Sequence, residues 1–188
     1  MSTQPKARLT PEEYLAIERA AEYKNEFFNG EIFAMTGASR QHNQITVNFV
    51  RVLGNQLLES PCNVYASEMR VKAISAQNYM YPDVVVTCGQ TFFEDQEMDT
   101  LLNPKVLIEV LSPSTAAFDR AEKFAYYKLI ESLTDYVLVN QKPYRVEHFV
   151  KQEQGRWTYY DFTSADEVLR LDSVGCEVLL KDIYLKVE

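Results

Sequence analysis

At 188 residues, 46% hydrophobic and 24% charged, the chain has the size and composition of one soluble domain with a sizeable core. No apolar run reaches the roughly 20 residues of a bilayer span. The polar stretch from Met1 to Arg8 lacks a signal-peptide core, so a cytoplasmic protein without a membrane partner is expected. A net charge of −8 speaks against a nonspecific coat for nucleic acid, though not against an enzyme that acts on it.

Thr10-Pro11-Glu12-Glu13 carries a cap, a first-turn proline and a capping-box glutamate, which predicts a helix to about Ala21. Asn29-Gly30 between Phe27-Phe28 and Ile32-Phe33 predicts a type I′ hairpin. From Gln41 to Glu59, Ile45, Phe49, Val52, Leu53 and Leu57 recur at helical spacing. Short strands are expected at Asn63 to Ala66 and Met69 to Ala73. Two buried strands follow, Asp83 to Val86 and Val106 to Leu111, separated by an acidic stretch from Gly89 to Asn103 read as mobile. A turn at Ser112 to Thr115, a helix from Phe118 to Glu131 and a strand from Asp135 to Asn140 come next. Alternation over Tyr144–Val150, Arg156–Phe162 and Glu167–Leu171 predicts a C-terminal meander. The order fits an α/β (α+β) fold, a mixed sheet flanked by helices with an extra N-terminal hairpin, as a single domain over 1–188. Cys62, Cys88 and Cys176 are odd in number and without CxxC spacing, which reads as reduced thiols.

The two buried strands each carry one carboxylate, Asp83 after a proline at a strand start and Glu109 inside its run. An ionised carboxylate in such a run costs several kcal/mol unless something pairs it. If the strands are neighbours, the two acids converge. With the carbonyl of Val110 they would form an all-oxygen site suited to Mg²⁺ or Mn²⁺. The structural alternative makes Asp83 a strand cap and pairs Glu109 with a base. Asp119, Lys123 and Tyr127 share a helical stripe that could bring an ammonium to the site. Ala121, Phe124, Ala125 and Lys128 define a rival stripe, and a solvated Asp119–Lys123 pair satisfies the same spacing. His42 at a helix start could contact phosphate or serve as a surface cap, and Ser112 could shape a turn or touch phosphate. Arg40, Arg51, Arg70, Lys72 and Arg120 are available phosphate contacts with no signal that gathers them. Trp157, Tyr159 and Tyr160 read as core or as a dimer surface.

Longer motifs add a resemblance. Glu18-Arg19, Lys24 to Ile32, Met35 to Ser39, His42 to Ile45, Tyr81 to Val86, Ile108 to Thr115, Asp119 to Phe124 and Tyr136 to Val139 resemble the Uma-two family over nearly the whole chain. That family is similar to the PD-(D/E)XK nucleases, and the resemblance implies a restriction-endonuclease-like fold. It makes Asp83 the aspartate of the PD element and Glu109 its acidic partner. The usual lysine position holds Leu111, and the resemblance implies that Lys123, from the following helix, substitutes for it. It also implies one further acid, for which Glu26 and Glu31 are the choices.

The combined expectation is a Mg²⁺-dependent (or Mn²⁺-dependent) endonuclease that hydrolyses DNA phosphodiester bonds and works as a homodimer. The alternative is a catalytically weak or inactive dimeric nucleic-acid-binding or interaction module that keeps the nuclease fold. A hydrolase of another phosphate ester fits the same carboxylates.

Overall fold

A computed structural model describes residues 8–188. Helix α1, Pro11–Ala20, starts at the expected capping box: the Glu13 N–H donates to Thr10 Oγ1 (3.2 Å) and the Thr10 N–H to the Glu13 carboxylate (2.8 Å). Strands β1 (Asn25–Phe28) and β2 (Glu31–Ala34) form the hairpin, with Asn29 and Gly30 left-handed at φ 51° and 85° as a type I′ turn requires. Helix α2, Arg40–Gln56, is capped by Ser39 and buries Ile45, Phe49 and Leu53 along one side.

Two sheets organise the rest. The larger has the order β11-β10-β9-β8-β6-β3. Its strands are β3 (Cys62–Ala66), β6 (Val84–Cys88), β8 (Val106–Leu111), β9 (Asp135–Asn140), β10 (Val146–Lys151) and β11 (Trp157–Phe162). Within this sheet β8 and β9 pair parallel and the other described pairs antiparallel, and the chain between β8 and β9 holds the helical segment over residues 116–127. The smaller sheet has the order β2-β1-β5-β4-β7, using β4 (Arg70–Ala73), β5 (Asn78–Met80) and the two-residue β7 (Thr100–Leu101). β5 and β7 are too short for their periodicity to show in the sequence.

Strand alternation sorts the larger sheet into two faces. Val84, Val86, Val106, Ile108 and Val110 pack with α2 and with the C-terminal hairpin. Val85, Leu107, Leu111, Tyr136 and Leu138 pack with Phe124 and Tyr127 of the 116–127 segment and with Val71 and Met80 of the smaller sheet. Asp83 and Glu109 share the parity of this second face.

Four expectations change. The meander stops at β11: among the described residues β12 (Val168–Leu171) pairs only with β13 (Cys176–Leu179), a separate hairpin followed by helix α5 (Leu180–Ile183). The helix expected at 118–131 runs from 116 to 127 as α3 (Ala116–Phe118), a π-helical turn (Asp119–Lys123) and α4 (Phe124–Tyr127). Cys62 and Cys88 are not free thiols. They lie opposite each other in the β3–β6 register and are disulfide-bonded, leaving Cys176 as the free, buried cysteine. The acidic stretch from Gly89 to Asn103 is pinned rather than loose. Arg19 binds Asp95 (2.7 Å) and Asp99 (2.8 Å), the buried Arg70 binds Asp99 (2.8 Å), and Lys72 pairs with Glu94.

Hydrogen bonds from Arg19 hold the Asp99 carboxyl well below the usual carboxylate range, with Arg70 adding to them against the effect of burial. A lowered folded value means that this contribution is present above the unfolded carboxylate pKa and is lost only as pH falls through the lowered one. Asp99→Ala strips the buried Arg70 of its counter-ion and is expected to cost about 3 kcal/mol in urea unfolding, against about 1 kcal/mol or less for Arg19→Ala.

Candidate active site

The β6–β8 register pairs Val84 with Ile108 and Val85 with Leu107, so one further step sets Asp83 directly opposite Glu109. Side chains opposite each other in an antiparallel pair share a face. The two acids therefore converge beside the 116–127 segment, as neighbouring strands were expected to bring them.

The π turn decides which helical stripe meets them. In a π turn the bonds run from i to i+5, so one extra residue fits into a turn. Lys123 and Phe124, which belong to rival α-helical stripes, are consequently both buried, together with Asp119 and Tyr127. Ala121, Ala125 and Lys128 face outward. The solvated Asp119–Lys123 pair is thereby replaced by a buried one. Lys123 Nζ lies 2.9 Å from Glu109 Oε1, 2.9 Å from Glu26 Oε1 and 3.8 Å from Asp119 Oδ1.

Of the two acids considered as the extra one, the structure brings Glu26 to the cluster and leaves Glu31 exposed on β2. The register places both acids on one face of the hairpin; Glu26 lies on the inner strand beside β5 and reaches Lys123, while Glu31 lies on the edge strand next to the turn. Glu26 Oε1 also accepts the Tyr81 N–H (2.9 Å), tying β1 to the segment that leads into Asp83. Tyr127 donates to Glu109 Oε1 (2.9 Å), and the Tyr136 hydroxyl, which the sequence did not single out, donates to the Asp119 carbonyl (3.0 Å). Asp83 Oδ2 accepts the Val110 N–H (2.8 Å) and faces His42 Nε2 at 3.1 Å. His42 thus touches Asp83 from the first turn of α2, and its Nδ1 is buried without a partner among the described residues. Ser112 stands apart, its hydroxyl shared with Ser114 (3.0 Å) and Thr115 (2.9 Å) in the turn after β8.

The five basic side chains considered as phosphate contacts are each held by a partner of their own. Arg70 and Lys72 are held by Asp99 and Glu94, and Arg120 by Glu147 (2.8 Å) and Asn140 (3.1 Å). Arg40 and Arg51 bind backbone carbonyls of Glu188 and Asp182.

Three carboxylates thus surround one ammonium, and Asp83 stands opposite Glu109 beside them. Burial pushes the Glu109 carboxyl well above the usual range; Lys123 pulls it down, while Asp119, Asp83 and Glu26 repel its charge. Burial likewise raises Asp119 against the pull of Lys123. For Lys123 burial works against the charge, but Glu109, Glu26 and Asp119 outweigh it and carry its pKa above the ordinary lysine value. The cluster is short of positive charge, which a proton or a divalent cation can supply.

Among the described residues no three His, Cys, Asp or Glu side chains form a ready metal cage. The donor chemistry nevertheless fits Mg²⁺, which commonly takes one or two carboxylates and completes its shell with water and substrate phosphate. Asp83 Oδ1 and Glu109 Oε2 accept no hydrogen bond among the described residues. In a strand a residue's carbonyl follows its N–H to the same edge, which turns the Val110 carbonyl toward Asp83.

Lys123→Met would leave Glu109, Glu26 and Asp119 buried without their counter-charge, at an expected cost of about 3–5 kcal/mol at neutral pH. Acids with raised folded pKa values bind more protons folded than unfolded, so stability rises as pH falls through those values. Urea unfolding of the variant should therefore show the deficit shrinking as pH is lowered toward the carboxylate range.

A family model described as "Putative restriction endonuclease" (Uma2) matches residues 11–181. Two uncharacterized proteins of Synechocystis sp. are similar. One is 39% identical over 149 residues, spanning 79% of this chain and 84% of its own. The other is 35% identical over 180 residues, spanning 96% and 93%. A crystal structure from Anabaena variabilis, described as a putative nuclease belonging to DUF820, superposes with a TM-score of 0.79 at 17% identity, over 96% of this chain and 99% of that one. At that identity the likeness carries the fold.

Proposed function

The chain belongs to the Uma2 family, and from that premise we propose that it is a metal-dependent endonuclease that hydrolyses DNA phosphodiester bonds in the cytoplasm. The observation that supports this most is the register that sets Asp83 opposite Glu109 with Lys123 Nζ 2.9 Å from the latter.

Asp83, Glu109 and the Val110 carbonyl would hold Mg²⁺ or, equally by donor type, Mn²⁺. Such an ion, when bound, supplies a water of lowered pKa and polarises a phosphate oxygen. The protein's own groups do the rest. Lys123 presents a fixed ammonium to the negative charge that develops at the scissile phosphate. Glu26 and Asp119 keep that ammonium protonated and in place, and Tyr127 fixes the orientation of Glu109. His42 and the Val110 N–H engage the same Asp83 oxygen and leave Oδ1 free to bind. DNA is the proposed substrate and a second copy of the chain the proposed partner.

One observation favours a different reading, a weak or inactive module that keeps the fold. Arg70, Lys72 and Arg120 are committed to internal pairs, which withdraws these three from contact with a duplex.

Cleavage of plasmid and linear DNA with Mg²⁺ or Mn²⁺ separates these readings. Wild type should cut, while Asp83→Asn and Lys123→Ala each lose on the order of a hundredfold or more. Failure of the wild type to cut any form, or full activity of Asp83→Asn, sinks the nuclease reading. In calorimetry with Mn²⁺, Asp83→Asn should abolish the binding isotherm, and His42→Ala should weaken it by about 10-fold or more, as loss of a group orienting a ligand does.

A further inference from the structure

The larger sheet ends in a strand built to accept another. We propose that β11 is the homodimer interface, where two copies of the chain pair β11 to β11 antiparallel and join their six-stranded sheets into one. This names the surface for the proposed partner and does not rest on the nuclease chemistry.

Hydrogen-bond parity defines what the edge offers. Asn140 N–H donates to the Arg145 carbonyl and Lys151 N–H to the Thr134 carbonyl, so the odd residues of β10 bond toward β9. Gln152 N–H donates to the Arg156 carbonyl on the other side, so the even residues of β10 bond toward β11. The register pairs His148 with Tyr160 and Val150 with Thr158, which uses the even positions of β11. The N–H and C=O groups of Trp157, Tyr159 and Asp161 therefore point away from the sheet, and no hydrogen bond reaches them among the described residues.

Edges that must stay single are usually blunted by lysine, proline, a bulge or a cover. β11 reads WTYYDF, without lysine or proline, and its pairing with β10 runs unbroken from Val146–Phe162 to Lys151–Trp157. Tyr159 and Tyr160, on opposite faces, are both 47% exposed.

The occupant follows from charge and from the strand's own symmetry. A net charge of −8 opposes self-association over most of the surface. On β11 the single acid, Asp161, is already neutralised by Arg145 at 2.9 Å, so two copies of this edge meet without repulsion. A two-fold axis at Tyr159 places Tyr159 opposite its own copy and Trp157 opposite Asp161, all through outward-facing groups. Each such pair exchanges two bonds, giving about six across the interface. Thr158 then lies opposite Tyr160, a β-branched and aromatic pair of the kind that favours sheet pairing.

The test uses the full-length protein in sedimentation equilibrium across micromolar to millimolar concentration, with amide hydrogen exchange read at the same concentrations. Wild type should be a dimer, with the amides of Trp157, Tyr159 and Asp161 protected more strongly as concentration rises. Tyr159→Pro removes an outward donor that the monomer does not use and should shift the dissociation constant upward by a hundredfold or more. Tyr160→Lys keeps the backbone intact and should weaken association by tenfold or more, so that a folding defect in the proline variant does not decide the matter. Unchanged thermal melting of Tyr160→Lys confirms that its monomer is folded. A monomeric wild type overturns the proposal, as do three rapidly exchanging amides, which would leave the edge to a foreign strand. A dimer unaltered in both variants places the interface elsewhere and overturns it equally.

Discussion

The ammonium of Lys123 is the point on which the two sheets depend. It comes from the helical segment between β8 and β9 and binds Glu109 on the larger sheet and Glu26 on the smaller one, each at 2.9 Å. Breaking such an ion pair costs far more than its net contribution, because a stranded buried charge has no water to turn to. The two contacts tie hairpin, helix and sheet together in the arrangement that places an ammonium beside two converging acids.

The apolar packing around it is arranged to keep that geometry. Phe124 stacks on Tyr136 at 5.0 Å and meets Trp157 edge-on at 5.2 Å, so the helical segment is clamped from the β9–β11 side. Tyr136 in turn reaches up to the Asp119 carbonyl. On the hairpin side Phe28 packs against Phe118 at 4.9 Å. Aromatic rings adjust little without losing contact. The lysine's position is thus set by neighbours on three elements rather than by its own flexible chain.

What the sequence made legible follows from how local each signal is. The capping box of α1, the Asn-Gly turn and the apolar runs of β6, β8 and β9 are read from adjacent residues, and each appears where those residues put it. The Asp83–Glu109 pair was readable because two carboxylates stand where strand burial forbids lone ones. The choice between Glu26 and Glu31 was not, since both flank the same turn and only the docking of the hairpin selects one. The helix boundaries and the fate of the rival stripes were hidden by the π turn, which breaks the period on which stripe reading relies. The acidic stretch from Gly89 to Asn103 looked loose because its partners, Arg19, Arg70 and Lys72, lie far away in sequence. The pairing of Cys62 with Cys88 needed the β3–β6 register, which no spacing rule supplies.

The π turn has a wider meaning for how such sites are found. A single additional residue in one helical turn lets Lys123 face inward while Leu111, on the strand where a lysine would be sought, packs as an ordinary core side chain. The ammonium stands beside Glu109 although β8 itself carries no lysine. A search keyed to spacing along one strand passes over this centre. One keyed to where an ammonium stands relative to two opposed carboxylates would recover it, whichever element supplies the lysine.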